Sequence, residues 1–109
     1  MATISTGRDV VTLVNVFTVA PEDQQRLLDV LAEATEKVMN KMPGFVSANL
    51  HRSLDGTRVT NYAQWRSRED FEAMLEHPEA GVHMREAAGI AAKFEPHMYE
   101  VAFEEEAAR

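Results

Sequence analysis

The run Val10–Val19 (VVTLVNVFTV) is apolar on both of its faces, and this limits the possible folds more than any other feature of the chain. β-Branched residues dominate the run, so it reads as a strand. Successive side chains of a strand point to opposite faces. Val11, Leu13, Asn15, Phe17 and Val19 share one face, and Val14 and Val16 lie on the other. Neither face suits water, so each needs a cover.

The rest of the chain supplies one cover. Pro21, Glu22 and Asp23 mark a helix start, with proline at a first helical position and acids in the first turn. Leu27, Leu28, Leu31, Ala34, Val38 and Met42 then recur at helical spacing until Pro43-Gly44 stops the helix. Phe45–Ser53 is a second strand, and Asp55-Gly56 is a hairpin turn leading into a third, Thr57–Arg66. Ser67 with Asp70 resembles a capping box and opens a helix with Phe71, Met74 and Leu75 on its apolar side. His77-Pro78 breaks it, a short helix covers about residues 79–92, and Phe94–Glu104 closes as a fourth strand. The order β-α-β-β-α-β predicts an α+β, ferredoxin-like fold with a four-stranded antiparallel sheet. Its helices cover one sheet face, and a second copy of the chain is the economical cover for the other, giving a dimeric α/β barrel. Residues 1–9 read as a flexible N-terminus, 10–104 as the domain and 105–109 as a solvated acidic tail.

Parity on the later strands groups Phe45, Ser47, Asn49 and His51 on one face of the second, and Val59, Asn61, Ala63 and Trp65 on one face of the third. The opposite sets are Val46, Ala48 and Leu50, and Tyr62 and Gln64. Parity alone does not put the first-named sets on one side of the sheet. If they share the helix-covered side, that side carries several amides, an imidazole and an indole among large apolar groups. Buried amides cost roughly 1–3 kcal/mol each when unpaired. Several together point to a cavity for a flat ligand with polar edges.

Composition excludes several function classes. At 109 residues the chain is one domain, and 45% hydrophobic with 27% charged residues argues against disorder. A net charge of -7 disfavours nucleic acid and anionic membrane as partners. The absence of cysteine removes disulfides, thiolate metal sites and thiol nucleophiles. His51, His77, His83 and His97 are scattered, with no i, i+4 pair on one helix, so no metal site is expected. No apolar N-terminal run resembles a signal peptide, and no stretch reaches the ~20 apolar residues of a membrane span. The cytoplasm is the expected location.

The segments Val11–Val19, Pro43-Gly44-Phe45 and Asn61-Tyr62-Ala63-Gln64-Trp65 resemble the antibiotic biosynthesis monooxygenase domain. The resemblance spans roughly residues 10–104. Asn61 through Trp65 is similar to the cofactor-independent anthrone oxygenases of aromatic polyketide pathways. That resemblance implies a homodimer of ferredoxin-like protomers, a small aromatic substrate, molecular oxygen and no cofactor. In nogalamycin-type enzymes a first-strand Asn and a third-strand Asn and Trp are functional, matching Asn15, Asn61 and Trp65. In actinorhodin-type enzymes the third-strand pair works with a second-strand His and a helix Tyr and Arg. His51 and Arg85 match two of these, while the Tyr position is Phe71.

The implied reaction converts an anthrone-like polyketide to a quinone. Asn15, Asn61 and Trp65 would hold the enolate or peroxide oxygens. His51 would act as base or proton shuttle, and Arg85 would stabilise developing charge. Phe17, Phe71, Met74, Leu75, His83 and Met84 would bind substrate along an apolar slot. Two alternatives stand beside this. Haem-binding and haem-degrading relatives use a helix His and a first-strand Asn, which His83 and Asn15 approach, although Met74 lies where their helix Trp would be. A non-catalytic, small-ligand-binding dimer is the other, because fold does not fix function.

Overall fold

The computed structural model describes residues 2–108. Strand β1 is Val11–Thr18, and helix α1 is Gln24–Lys37, entered through a 3-10 turn at Pro21–Asp23. Strands β2 (Phe45–Arg52) and β3 (Arg58–Trp65) form the hairpin. Helices α2 (Arg68–Leu75) and α3 (Pro78–Ile90) precede strand β4, Lys93–Tyr99. All pairings are antiparallel in the order β2-β3-β1-β4, the ferredoxin-like arrangement. The sheet is open, with β2 and β4 as its edges.

Local causes fix the boundaries. The α1 helix ends at Lys37 rather than continuing to Met42: Val38 leaves helical geometry at φ -126°, and Met39–Lys41 tighten into a 3-10 turn. Gly56, at φ +80°, closes the hairpin, where the Asp55 carboxylate accepts from the Thr57 N–H at 3.0 Å and from the Ser53 hydroxyl at 2.8 Å. The Thr57 N–H and hydroxyl, followed by that of Ser53, lower the Asp55 pKa to about 2. Ser67 caps α2 by accepting from the Asp70 N–H at 3.1 Å, as the capping signal implies. The His77 ring plays the corresponding part for α3, accepting from the Glu79 N–H at 3.3 Å.

Two further expectations are corrected. The fourth strand ends at Tyr99, not Glu104. Tyr99 already pairs with Thr12, which leaves only Val11 of β1 further along. The β2 parity is also different. Phe45 pairs with Trp65 and Ser47 with Gln64, which leaves Val46 as an extra residue in a β-bulge. Beyond the bulge Ala48 pairs with Ala63 and Leu50 with Asn61, so these two face the helices. Ser47, Asn49 and His51, opposite Gln64, Tyr62 and Thr60, face the other side.

The core lies between the sheet and the helices. Leu27, Leu31 and Ala34 of α1 pack on Leu13, Phe17 and Val59 of the sheet, and Ala80 and Ala87 bring α3 into the same layer. Each fully buried leucine contributes about 1.5–3 kcal/mol. On the outer face Val14, Val16 and Tyr62 are half-buried and Val46 is exposed. Residues near the N-terminus cover one end of that face: buried Gln64 donates to the Thr3 carbonyl at 2.8 Å and accepts from Ser47 at 3.2 Å.

Candidate active site

Between the inner sheet face and the helices lies a cavity of about 330 Å³. Its floor is β1 and β3, where Asn15 and Asn61 are direct cross-strand partners. Both sit mid-strand, in positions that disfavour a short polar side chain. The Oδ1 atoms of both are buried, and neither has a hydrogen-bond partner. Paired buried groups are the rule, so two adjacent unpaired acceptors mark a place made for something else.

Trp65 closes the far end of β3 from Asn61. It is 2% exposed and meets two rings edge-on, Phe45 at 5.5 Å and Phe71 at 5.9 Å between centroids. Phe17 and Phe94, 6.0 Å apart, wall the opposite end. Met39, Met74 and Met84 line the helical roof. The wall reaches solvent at Leu75, Phe94 and Pro96, which are exposed.

The sequence-derived candidates therefore divide. Asn15, Asn61, Trp65, Phe17, Phe71, Met74, Leu75 and Met84 converge on this cavity. His51 does not, because the bulge at Val46 turns it to the outer face, where its Nδ1 lies 3.2 Å from the Asn49 carbonyl and the ring is exposed. Arg85 is exposed on α3 and does not line the cavity either. His83 is half-buried, with an unpartnered Nδ1, but is absent from the wall, so the cavity offers a haem no axial imidazole from that position. Among the described residues no group of three or more His, Asp or Glu side chains is placed to hold a metal ion.

Several wall residues were not anticipated. Strict alternation puts Ala48 on the other face, because the bulge carries no glycine or other visible mark. Met39 was hidden by the assumption of an unbroken helix. Phe94 and Pro96 follow from the β4 register, which pairs them with Phe17 and Asn15. No carboxylate, imidazole, ammonium or guanidinium belongs to the wall, whose polar side chains are those of Asn15, Asn61, Thr35 and Trp65. The arrangement can bind a flat, uncharged ring system, orient its oxygens against the two amides and keep water from it.

The family model described as antibiotic biosynthesis monooxygenase matches residues 10–86, most of the chain. The chain belongs to the antibiotic biosynthesis monooxygenase family. Within it, the chain is 57% identical over 83 residues to the tetracenomycin-F1 monooxygenase of Streptomyces glaucescens, covering 76% of this chain and 74% of that protein. Among solved structures of similar shape, a variant of SnoaB, a cofactor-independent oxygenase from Streptomyces nogalater, superposes with a TM-score of 0.73 at 27% identity, over 84% of this chain and 92% of that one. An anthrone oxidase-like protein gives 0.81 at 25% identity, over 89% of this chain and 41% of the longer one. No helix among the described residues is long and apolar enough to cross a membrane.

Proposed function

We propose that this chain is a cofactor-independent monooxygenase that oxidises an anthrone-like aromatic polyketide to a quinone with molecular oxygen. The observation that carries the reading is the pair of unpartnered amide oxygens, Asn15 and Asn61, facing an apolar cavity that Trp65 closes. The 57% identity to a tetracenomycin-F1 monooxygenase and the shape shared with SnoaB support it independently.

Ground-state oxygen is a triplet and reacts slowly with closed-shell molecules, so many oxygenases recruit a flavin or a metal. An anthrone can supply the electrons itself. Loss of a proton from its central-ring CH gives a delocalised carbanion, which passes one electron to oxygen. The two radicals combine to a hydroperoxide, and loss of water leaves the quinone. One oxygen atom enters the product and the other leaves as water.

The amides suit this sequence. Their Nδ2 groups donate to the enolate oxygen as charge develops there, and their Oδ1 atoms accept from neighbouring phenol hydroxyls. Trp65 and Phe71, packed edge to face, present aromatic surface to the ring system. With no titratable group in the wall, the proton leaves by way of a phenolate of the substrate itself rather than through His51. Excluding water protects the radical pair and the hydroperoxide. The half-buried apolar residues Val14, Val16 and Tyr62 on the outer sheet face support a homodimer packed through that face.

Oxygen uptake with dithranol, a simple anthrone, in chelator-treated buffer without added flavin or metal tests the reading. One oxygen consumed per quinone formed, faster than in protein-free buffer, is the expected result. A rate no greater than the uncatalysed one refutes it.

A further inference from the structure

We propose that Met39, Met74 and Met84 are oxygen acceptors for any hydroperoxide that escapes productive breakdown, so that the cavity wall is oxidised to methionine sulfoxide as a side reaction of turnover. The inference rests on the oxygenase reading above and adds a modification site to it.

Three thioethers from three different elements converge on one cavity: Met39 from the 3-10 turn after α1, Met74 from α2 and Met84 from α3. Met39 and Met74 are 7% and 5% exposed, so an oxidant in bulk solvent has little access to them. Met42 and Met98 pack against the same core cluster but do not line the cavity. Position relative to the cavity, rather than burial alone, therefore separates the two groups.

The hydroperoxide is confined beside these sulfurs. Its loss of water needs a second proton on the distal oxygen, and no wall residue supplies one, so breakdown waits on the substrate's own phenol groups. While it waits, a thioether sulfur can attack that distal oxygen. The O–O bond breaks, an S–O bond forms, and the proximal oxygen takes the proton and remains on the ring as an alcohol. Sulfur loses two electrons and the peroxide gains two, so hydroperoxide plus thioether gives alcohol plus sulfoxide with no other reactant. The product side chain is polar and chiral in a wall that was apolar, so each event weakens substrate binding.

The test uses the full chain in two arms. In the first, dithranol is turned over in air, oxygen uptake is recorded, and digests are sequenced by mass spectrometry. The expected result is gain of one oxygen on Met39, Met74 or Met84 in proportion to oxygen consumed, with Met42 and Met98 at the level of a substrate-free control. Methionine sulfoxide reductase should then restore lost activity. Oxygen uptake with no sulfoxide on these three, or with oxidation centred on Trp65, overturns the inference. Absence of uptake sinks the oxygenase reading instead. The second arm, cumene hydroperoxide added to resting protein, then decides the inference by itself: preferential oxidation of the three wall methionines supports it, and equal oxidation of Met42 and Met98 overturns it.

Discussion

Replacing Asn15 by leucine should raise stability and lower activity together. The Oδ1 atoms of Asn15 and its partner Asn61 are buried and unpartnered, and a buried amide left in that state costs about 1–3 kcal/mol. Leucine removes the cost at position 15, and the adjoining cavity of about 330 Å³ accommodates its extra bulk. Asn15 as a whole is half-buried, so the gain should fall toward the lower end, about 1 kcal/mol. For a domain of this size that raises the unfolding midpoint by about 4 °C or somewhat more. On the proposed mechanism the same substitution removes a hydrogen bond to developing negative charge, and loss of one such donor typically costs about 10²–10³ in turnover. Thermal unfolding and oxygen uptake with dithranol on the same preparation read both effects. Because Asn15 and Asn61 are cross-strand partners, the double leucine variant should lose less activity than the product of the two single losses. A variant that is less stable yet fully active would refute the reasoning, since it would make Asn15 an ordinary structural residue.

Trp65→Phe keeps a ring between Phe45 and Phe71 but deletes the indole N–H. It should leave a folded protein with slower dithranol oxidation, and unchanged turnover would remove the N–H from the mechanism. Gly44→Ala should destabilise by more than about 1 kcal/mol, because Gly44 has a φ of +85° and a Cβ there would collide with the Asp70 side chain. Adding Asp70→Ala should not rescue it, since the Asp70 Cβ itself is among the colliding atoms; recovery of the wild-type midpoint in the double variant would disprove this account. The Asp55 carboxyl has a folded pKa of about 2 against an ordinary 3.8, so its contribution to stability is complete above about pH 4 and is lost as pH falls toward 2. Asp55→Asn should flatten that part of the denaturation profile, and a carboxyl titrating at its ordinary value by NMR would contradict the hairpin geometry.

Much of this site was legible because two strands are regular. On β1 and β3 the alternation of side chains runs unbroken, so spacing groups Asn61 with Trp65 on one face of β3 and Asn15 with Phe17 on one face of β1, and the cross-strand pairing of Asn15 with Asn61 joins the two faces. The order of strand, helix and hairpin signals gave the ferredoxin-like arrangement for the same reason: each boundary carries a local mark, such as Ser67 before α2 or Asp55-Gly56 in the turn. His51 failed because the alternation on β2 is interrupted at Val46, a residue with strong strand preference that gives no sign of a bulge. Arg85 failed for another reason. On a helix flanked by both apolar and charged residues, the resemblance supplied a role that this chain's own exposure of the side chain does not support. Met39 and the β4 residues depended on where a helix relaxes and how an edge strand registers, and both are settled by packing across the domain.

The bulge makes the cavity lining tolerant of a shorter second strand. Deleting the single codon for Val46 would return β2 to strict alternation from Phe45 onward. Ser47 opposite Gln64 and Ala48 opposite Ala63 would then follow Phe45 directly, so Ala48 and Leu50 would stay beneath the helices and Asn49 and His51 on the outer face. The one extra residue thus lets Phe45 and Ala48, three apart in the chain, share the hydrocarbon surface under the helices, and its loss would leave the imidazole outside.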